Sequence, residues 1–165
     1  MAIKLKTKKD IEFYESVVQH KKAISDIMYK LADMIRKRAD AHDDSKLDST
    51  EFNKWSLNYL PESKRNLDNK EFKKTFEKLG EVREIHYSKN RHHLEFFNGD
   101  IKKINIIDLL EIICDWIAST ANQDKGNLRL TIERAKERFK FSKEIEHIIL
   151  NTLELLEIIL EVTEL

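Results

Sequence analysis

Residues that interrupt helices are scarce in this sequence, which has three glycines and a single proline among 165 residues. Glycine and proline are the strongest local breakers of regular structure, so their scarcity argues against a chain cut into many short elements. Leucine, isoleucine, lysine and glutamate are abundant instead. Because this balance is typical of helices, the composition predicts an all-α fold.

Cysteine is nearly absent, and its single copy, Cys114, excludes an intramolecular disulfide. Cys114 stands in the apolar run DLLEIICDWI, so we expect its thiol to be buried, to act as a small hydrophobe and to stay protonated. A nucleophilic cysteine is thereby disfavoured. A single, unpaired cysteine is typical of a protein in a reducing, intracellular setting.

The sequence also lacks a long apolar run and an excess of one charge. Its basic start, MAIKLKTKKD, continues into IEFYESVVQHKK without the continuous apolar stretch of a signal peptide or a membrane span. Thirty basic residues balance thirty acidic ones, so the net charge favours neither nucleic acid, nor a membrane, nor an acidic substrate. We expect a cytoplasmic protein with no membrane partner and no clear nucleic-acid patch.

Apolar residues recur at helical spacing along most of the chain. A stripe from Asp10 to Ala41 predicts one long helix or two helices in series. The segment LDSTEFNKWSLNYLP predicts a short helix, at whose start Asp48 and Glu51 loosely match a capping box. NKEFKKTFEKLGEVREIHYSKN predicts one further helix that ends near Asn90.

The second half of the chain continues this pattern. RHHLEFFNGD predicts a loop, INIIDLLEIICDWIASTA predicts a central helix that is apolar nearly all round, and Ser142 is a plausible N-cap for the last helix. The end of that helix either completes the core or covers a second subunit, which leaves a homodimer possible, through the apolar residues Leu153, Leu156, Ile159 and Leu160. We expect a single helical domain over residues 1–165.

Three acids interrupt the otherwise apolar central helix. Asp108, Glu111 and Asp115 are spaced three and four residues apart, so they share one helix face. A buried ionised carboxylate is costly unless it is paired or binds a metal. The alternative, in which the acids edge the solvent, is equally good for Glu111 and less suited to Asp115, which stands between Cys114 and Trp116.

Histidines are placed on or at the ends of segments that could converge on this helix. Five of the six share this property, namely His20, His42, His86, His92 and His93. Imidazole with carboxylate suits Mn²⁺, Fe²⁺ or Zn²⁺, whereas a site of carboxylates alone would suit Mg²⁺. The mixture here therefore favours a transition metal. No HExxH, paired CxxC, GxxxxGK[ST] or GxSxG motif is present to help identify the site.

The order of these residues resembles that of the HD-domain metal-dependent phosphohydrolases. AHDDSKL is similar to the HDxxK segment of that superfamily, and NRHHLEFFNGD is similar to the HHE element of its HD-GYP branch. Here Leu94 stands between the histidine pair and Glu95, and no GYP triplet follows Gly99. Activity on cyclic di-GMP is therefore not implied.

The chain also resembles, over roughly residues 15 to 145, a small family of phage and bacterial proteins of unassigned function with the pattern H…HDxSKL…NRHHPEH…DLxExxCDW. That pattern reads here as His20, HDDSKL, NRHHLEF and DLLEIICDW, with Leu94 and Phe96 in place of proline and histidine. The resemblance implies an HD-like bundle of six or seven helices in a bacterial or phage-infected cell.

Carried over residue by residue, the resemblance implies two neighbouring metal sites. The primary site would have four ligands, His20, His42, Asp43 and Asp115. Asp43 could bridge to a second ion whose ligands would be His86, His92 and His93. Asp108 is the alternative to Asp115 as the last ligand. The expected cofactor is one or two divalent ions of Mn, Fe, Co, Ni or Zn, with Mg²⁺ possible.

Three further residues would act on the substrate. Lys46, one helical turn beyond His42, could reach a phosphate oxygen at the metal, and Arg91 could neutralise further phosphate charge. Ordinary surface charge is the alternative for both residues. Glu95 could orient a histidine or act as a general acid, and a solvated loop acid is an equally good interpretation.

The leading hypothesis is a metal-dependent phosphohydrolase that acts on a nucleotide or another small phosphoester through metal-activated water. One alternative is an all-α, Mg²⁺-dependent nucleoside-triphosphate pyrophosphohydrolase that uses Asp108, Glu111 and Asp115. The other is a non-catalytic helical protein, possible in a phage, that binds a partner and holds a structural metal.

Overall fold

A computed structural model of the chain describes residues 6–61, 65, 70–121 and 127–156. Over these residues it has seven α-helices and no strand, which confirms the predicted all-α class and the predicted number of helices. The α-helices are α1 (Lys8–Asp40), α2 (Ser49–Leu57), α3 (Lys70–Lys78), α4 (Gly80–Lys89), α5 (Ile106–Ala121), α6 (Leu128–Phe139) and α7 (Lys143–Leu155). Short 3-10 helices cover Asp44–Leu47, Leu94–Phe97 and Ile101–Lys103.

The chain divides into two compact units, Met1–His42 and Asp43–Leu165. In the first unit, α1 begins at a capping box: Thr7 Oγ1 accepts a hydrogen bond from the Asp10 amide, and the Asp10 carboxylate accepts one from the Thr7 amide. The predicted apolar stripe follows this helix, and no residue of α1 is buried. The single-domain organisation over residues 1–165 stays a prediction.

Two short helices, α3 and α4, stand where the sequence predicts one. The break falls at Leu79, which is buried, directly before Gly80. Glycine in a helix costs about 1 kcal/mol relative to alanine, so this position favours an interruption. The buried residues of α4 are Val82 and His86, so this helix places a histidine side chain in the protein interior.

The core of the second unit lies between α5, α6 and α7. It is formed by the buried residues Leu109, Ile113, Ile132, Ala135, Phe141, Ile149 and Leu153. The helix α5 leaves a narrow strip exposed that includes Cys114, so the expectation of a buried thiol was wrong. Cys114 is five residues beyond Leu109, which places it about 140° away around the helix.

The last described helix, α7, starts where the sequence predicts. Ser142 occupies its N-cap position. Of the apolar residues near its end, Leu153 is buried and Leu156 is exposed, whereas Ile159 and Leu160 lie outside the described residues. Within the described part of the chain, no helix is both long and apolar enough to cross a membrane.

Candidate metal centre

Asp43 opens the second unit in a left-handed backbone conformation, with a φ of 61°. Few residues other than glycine adopt this conformation, and aspartate is among those that tolerate it. The turn leads into the 3-10 helix Asp44–Leu47, from which Lys46 Nζ lies 2.5 Å from Asp43 Oδ2. The other carboxylate oxygen, Oδ1, faces two imidazole rings.

The first of these rings belongs to His86, which is fully buried in the last turn of α4. His86 Nε2 lies 3.1 Å from Asp43 Oδ1, and His86 Nδ1 lies 3.1 Å from Glu51 Oε2. Glu51 comes from α2 and is only 1% exposed. The His86 ring therefore lies between two carboxylates, one at each nitrogen.

Further polar groups surround the His86 ring. Ser45 Oγ lies 2.9 Å from His86 Nδ1, and Trp55 Nε1 donates to Glu51 Oε2 at 3.3 Å. The Asn90 amide nitrogen donates to Ser45 Oγ and to the His86 carbonyl, and lies 3.1 Å from His86 Nδ1. These contacts tie α2 and the end of α4 to one orientation of the ring.

His92, in the turn after α4, repeats the arrangement of His86. Its Nε2 atom lies 3.3 Å from Asp43 Oδ1, and its Nδ1 atom lies 3.2 Å from Glu111 Oε1 on α5. His92 is buried, and the Glu111 side chain is 8% exposed. Two imidazoles from different elements thus share one Asp43 oxygen, and each has a buried carboxylate at its other nitrogen.

His93 adds a third imidazole to the cluster. Its ring packs on Tyr87 and on His92, with centroid distances of 4.1 Å and 4.2 Å. Burial, with the charges of His92 and His86, lowers the pKa of His93 to about 3, so the ring is neutral at pH 7. Its Nε2 atom is buried and has no hydrogen-bond partner among the described residues. Ligand atoms of the three histidines lie within 4.8 Å of one another.

The ionisation of Asp43 follows from these neighbours. Burial alone would raise the pKa of the carboxyl group, because a charge is costly away from water. The contacts with His86, His92 and Lys46 outweigh this effect and hold the pKa of Asp43 well below its usual range. The cluster therefore contains an ionised carboxylate at neutral pH.

The protons of the rings limit how this cluster can be assembled. A neutral imidazole carries one N–H, so a ring that donates from Nδ1 to a carboxylate presents a lone pair at Nε2. In His86 and His92 that lone pair would face Asp43 Oδ1. A second proton on each ring, or a cation shared by the three atoms, would satisfy this arrangement.

The separations in the cluster fit a shared cation. Ligands about 2.1 Å from one ion in a tetrahedral arrangement lie about 3.4 Å from each other. The two distances to Asp43 Oδ1, from His86 Nε2 and His92 Nε2, are 3.1 Å and 3.3 Å. The His/Asp cluster could therefore hold a metal ion, and the neutral His93 ring offers a further nitrogen ligand.

A cavity of about 420 Å³ opens beside the cluster. His86, His92, His93 and Asp115 line it, together with the cationic residues Lys46, Arg83 and Arg138. Arg83 Nε is buried without a hydrogen-bond partner in the described part of the chain, and its guanidinium group lies 3.4 Å from the centroid of the Phe76 ring. The cavity is therefore lined both by members of the His/Asp cluster and by groups that attract anions.

The predicted ligands fall into both units. Four of them, Asp43, His86, His92 and His93, meet in the second unit as one cluster. Asp115 lines the adjoining cavity and acts electrostatically on His93. In the first unit, His20 is exposed on α1, and His42 stands two residues beyond the end of that helix. Asp43, assigned from the sequence to the primary site, thus contacts the histidines that were assigned to the second.

Arg91 and Asp108 form a bidentate ion pair. Arg91 Nε and Nη2 donate to the two Asp108 oxygens at 2.8 Å and 2.7 Å, and the Asn105 amide donates to Asp108 at 3.0 Å. Asp108 is fully buried. Both the predicted phosphate contact, Arg91, and the alternative ligand, Asp108, are therefore engaged with each other at the start of α5.

Three further residues, Glu95, Glu51 and Arg83, complete the site, and the last two were not among the predicted site residues. Glu95 pairs with Arg138 at the rim of the cavity. Glu51 was interpreted as part of a capping box, but Asp48 makes no side-chain cap hydrogen bond and Glu51 turns towards His86 instead. The sequence did not single out Arg83, because it is one of many charged residues at helical spacing.

Comparison with known proteins gives a family and no function. A family model, DUF5662, described as a family of unknown function, matches residues 9–161. No curated protein matches the chain, and no solved structure does.

Proposed function

The chain belongs to DUF5662, a family of unknown function, and from that premise we propose that it is a metal-dependent phosphohydrolase acting on a nucleotide or another small phosphoester. One observation carries the proposal. His86 and His92 direct Nε2 at the same Asp43 oxygen, while a buried carboxylate stands at Nδ1 of each ring. Metal-binding histidines usually donate their second N–H to such a carboxylate.

The donor set favours a transition metal. We propose that Asp43, His86, His92 and His93 hold one divalent ion of Mn, Fe, Co, Ni or Zn, because imidazole is a better ligand for these ions than for Mg²⁺. The roles of His20, His42 and Asp115 as ligands of the primary site, which the resemblance implies, stay predictions. When bound, the metal would supply water of lowered pKa and charge for the phosphoryl group.

The chain's own residues would bind the phosphate group. Lys46 lines the cavity and contacts Asp43, so its ammonium group lies at the metal ligands. Arg83 lines the same cavity, and its buried Nε atom is without a hydrogen-bond partner among the described residues. A buried donor left unpaired costs about 1–3 kcal/mol. A phosphate oxygen would relieve this cost, so we assign Arg83 to phosphate binding.

Two buried acids would act as positioning residues. Glu51 fixes the ring and tautomer of His86, and Glu111 does the same for His92. With the N–H held at Nδ1, both rings keep an Nε2 lone pair towards Asp43. Asp115 and Glu95 line the cavity. Asp115 stays a predicted metal ligand, and Glu95 stays predicted to orient a histidine or to act as a general acid.

Different contacts bear on the two alternative functions, pyrophosphohydrolase activity and partner binding without catalysis. Pyrophosphohydrolase activity would need the acids of α5 for Mg²⁺, yet Asp108 is bound by Arg91 and Glu111 contacts His92. Partner binding without catalysis is favoured by the exposed apolar side chains of α1, which include Phe13. A homodimer and a cytoplasmic location in a bacterial or phage-infected cell stay predictions.

Elemental analysis of purified protein tests the proposed function first. Wild type and Asp44→Ala, a neighbouring exposed acid, should retain Mn, Fe, Co, Ni or Zn, whereas Asp43→Ala should lose the metal. A screen of phosphomonoesters, nucleotides and cyclic nucleotides with Mn²⁺ follows. Wild type without bound metal, and without thermal stabilisation by any of these ions, would overturn the proposal. Full metal occupancy with no turned-over substrate would favour the non-catalytic alternative.

A further inference from the structure

A second cavity, of about 630 Å³, adjoins the cavity that opens beside the His/Asp cluster. The two share part of their lining, namely Lys46, Trp55, Phe72, Phe76 and Leu79. The volume lies within the range of about 300–1,000 Å³ that is typical of sites for small ligands. One ligand could therefore extend from the metal ligands, past Lys46, into this second space.

Aromatic rings dominate the walls of the second cavity. They come from α2 and its C-terminal side, with Phe52, Trp55 and Tyr59, and from α3, with Phe72 and Phe76. The two α3 rings have centroids 5.9 Å apart and are tilted by 33°. Such walls bind flat aromatic ligands by stacking and edge contacts.

Polar groups stand among these rings. Ser56, Asn58 and Thr75 add two hydroxyl groups and an amide to the lining, and Arg65 places its guanidinium group 5.1 Å from the Tyr59 ring centroid. The Ser56 hydroxyl and the Asn58 side-chain amide donate to the Asn53 and Lys54 carbonyls, and the Ser56 oxygen and the Asn58 side-chain carbonyl still have acceptor capacity. A heteroaromatic ring with donors and acceptors at its edge would match them.

We infer that this aromatic cavity binds the base of a nucleoside monophosphate whose phosphate group lies at Lys46 and the His/Asp cluster. The inference deepens the proposed phosphohydrolase function and rests on it. Lys46 is the link, because it lines both cavities, contacts Asp43 and lies 5.3 Å from the Trp55 ring centroid. The substrate class is thereby a phosphomonoester that carries a nucleobase.

Binding without turnover tests the base site directly. Nucleosides have no phosphate group to hydrolyse, so calorimetry of the Mn²⁺-loaded protein with adenosine, guanosine, cytidine and uridine reads the aromatic cavity alone. At least one nucleoside should bind saturably, and ribose should not. Absence of binding by all four, or equal binding of ribose, would overturn the inference.

Phe72→Leu locates the binding, because it removes a ring but keeps an apolar side chain. Loss of a stacked ring should weaken nucleoside binding by about 5- to 150-fold. Phe96→Leu, which changes an exposed phenylalanine that lines neither cavity, is the matched control and should bind as wild type does. Equal weakening in both variants, or in neither, would overturn the assignment to this cavity.

Measuring kcat and KM for phosphoesters with and without a base distinguishes a failure of this inference from a failure of the proposed function. Nucleoside 5′-monophosphates should have a higher kcat/KM than ribose 5-phosphate, and Phe72→Leu should remove the difference by raising KM for the nucleotide. Equal kcat/KM for both substrates would retain the phosphohydrolase and overturn the base site. Nucleoside binding that depends on Phe72, with no phosphoester hydrolysed, would retain the base site and overturn the phosphohydrolase.

Discussion

His86 Nε2 lies 3.1 Å from Asp43 Oδ1, with the His86 side chain fully buried and the Asp43 side chain 26% exposed, although the two residues belong to separate elements of the second unit. The opposite side of the His86 ring meets Glu51 at the same distance. An imidazole between two carboxylates is stable if it carries a second proton or if a cation lies beside it. Measuring the metal content of the protein would therefore distinguish a second proton on His86 from a bound cation.

Removal of the metal should lower the stability of the folded protein. A metal present at 100 times its Kd stabilises by about 2.7 kcal/mol, which for a protein of this size corresponds to roughly 5–10 °C in Tm. We therefore expect the Tm of chelator-treated protein to rise by this amount on addition of Mn²⁺ or Zn²⁺. Differential scanning calorimetry measures the shift.

His147→Ala is the matched control for that shift, since His147 is exposed on α7. His86→Ala should abolish the metal-dependent rise in Tm, and His147→Ala should retain it. The metal centre would be contradicted by a rise in Tm that persists in His86→Ala.

Glu51→Gln should weaken metal binding while the fold is retained. Loss of a carboxylate that orients a metal-binding histidine typically lowers metal affinity by 10- to 100-fold. Glu51 Oε2 lies 3.1 Å from His86 Nδ1, so the amide would alter the tautomer and position of that ring. Metal titration monitored by a competing chelator gives the affinity, and circular dichroism checks the helix content.

Two further variants test whether the loss of metal affinity is due to the contact between Glu51 and a histidine. Glu81→Gln changes an exposed acid of α4 and should leave metal affinity unaltered. Glu111→Gln should resemble Glu51→Gln, because Glu111 holds His92 in the same way. A drop in stability without a drop in metal affinity would assign Glu51 a purely structural role.

Most helices and the residue types of the His/Asp cluster could be predicted from the sequence, but the convergence of those residues could not. Periodicity shows which residues share a helix face, and histidine is rare enough to be noticed wherever it stands. Glu51 escaped notice because a lone glutamate near a helix start has an ordinary explanation as a capping residue. The exposure of Cys114 and the break at Leu79 depend on which neighbours pack against each face, and periodicity does not specify neighbours.

Arg91→Ala should lower stability more than activity. Its guanidinium group is bidentate on the fully buried Asp108, so truncation would leave a buried carboxylate unpaired. Breaking a buried pair costs about 3–5 kcal/mol, and we expect about 2–4 kcal/mol here because the Arg91 side chain is 35% exposed. Urea unfolding measures the change.

A double mutant tests the origin of this loss. Asp108→Asn combined with Arg91→Ala should be less destabilised than the sum of the two single changes, because neither partner is then left charged and buried. Lys89→Ala, an exposed cation at the end of α4, should be near neutral. A larger effect of Arg91→Ala on kcat than on unfolding would restore the phosphate-binding role predicted from the sequence.

Arg83→Gln should reduce turnover of whichever phosphoester the Mn²⁺ screen identifies. The Arg83 Nε atom is buried beside the His/Asp cluster and has no hydrogen-bond partner among the described residues, so a bound phosphate would be its first. Removing one donor aimed at developing charge lowers kcat by about 10²–10³, and loss of ground-state binding raises KM in addition.

Arg83→Lys separates charge from geometry, since lysine keeps the positive charge without the planar fork and should recover activity only in part. Arg134→Gln, an exposed arginine of α6, is the control and should keep wild-type kcat and KM. Because the Arg83 guanidinium group also packs on Phe76, each variant needs a melting curve, and kinetics are compared well below the lowest Tm. Wild-type kcat/KM in a folded Arg83→Gln protein would remove Arg83 from the phosphate site and leave Lys46 as its principal cation.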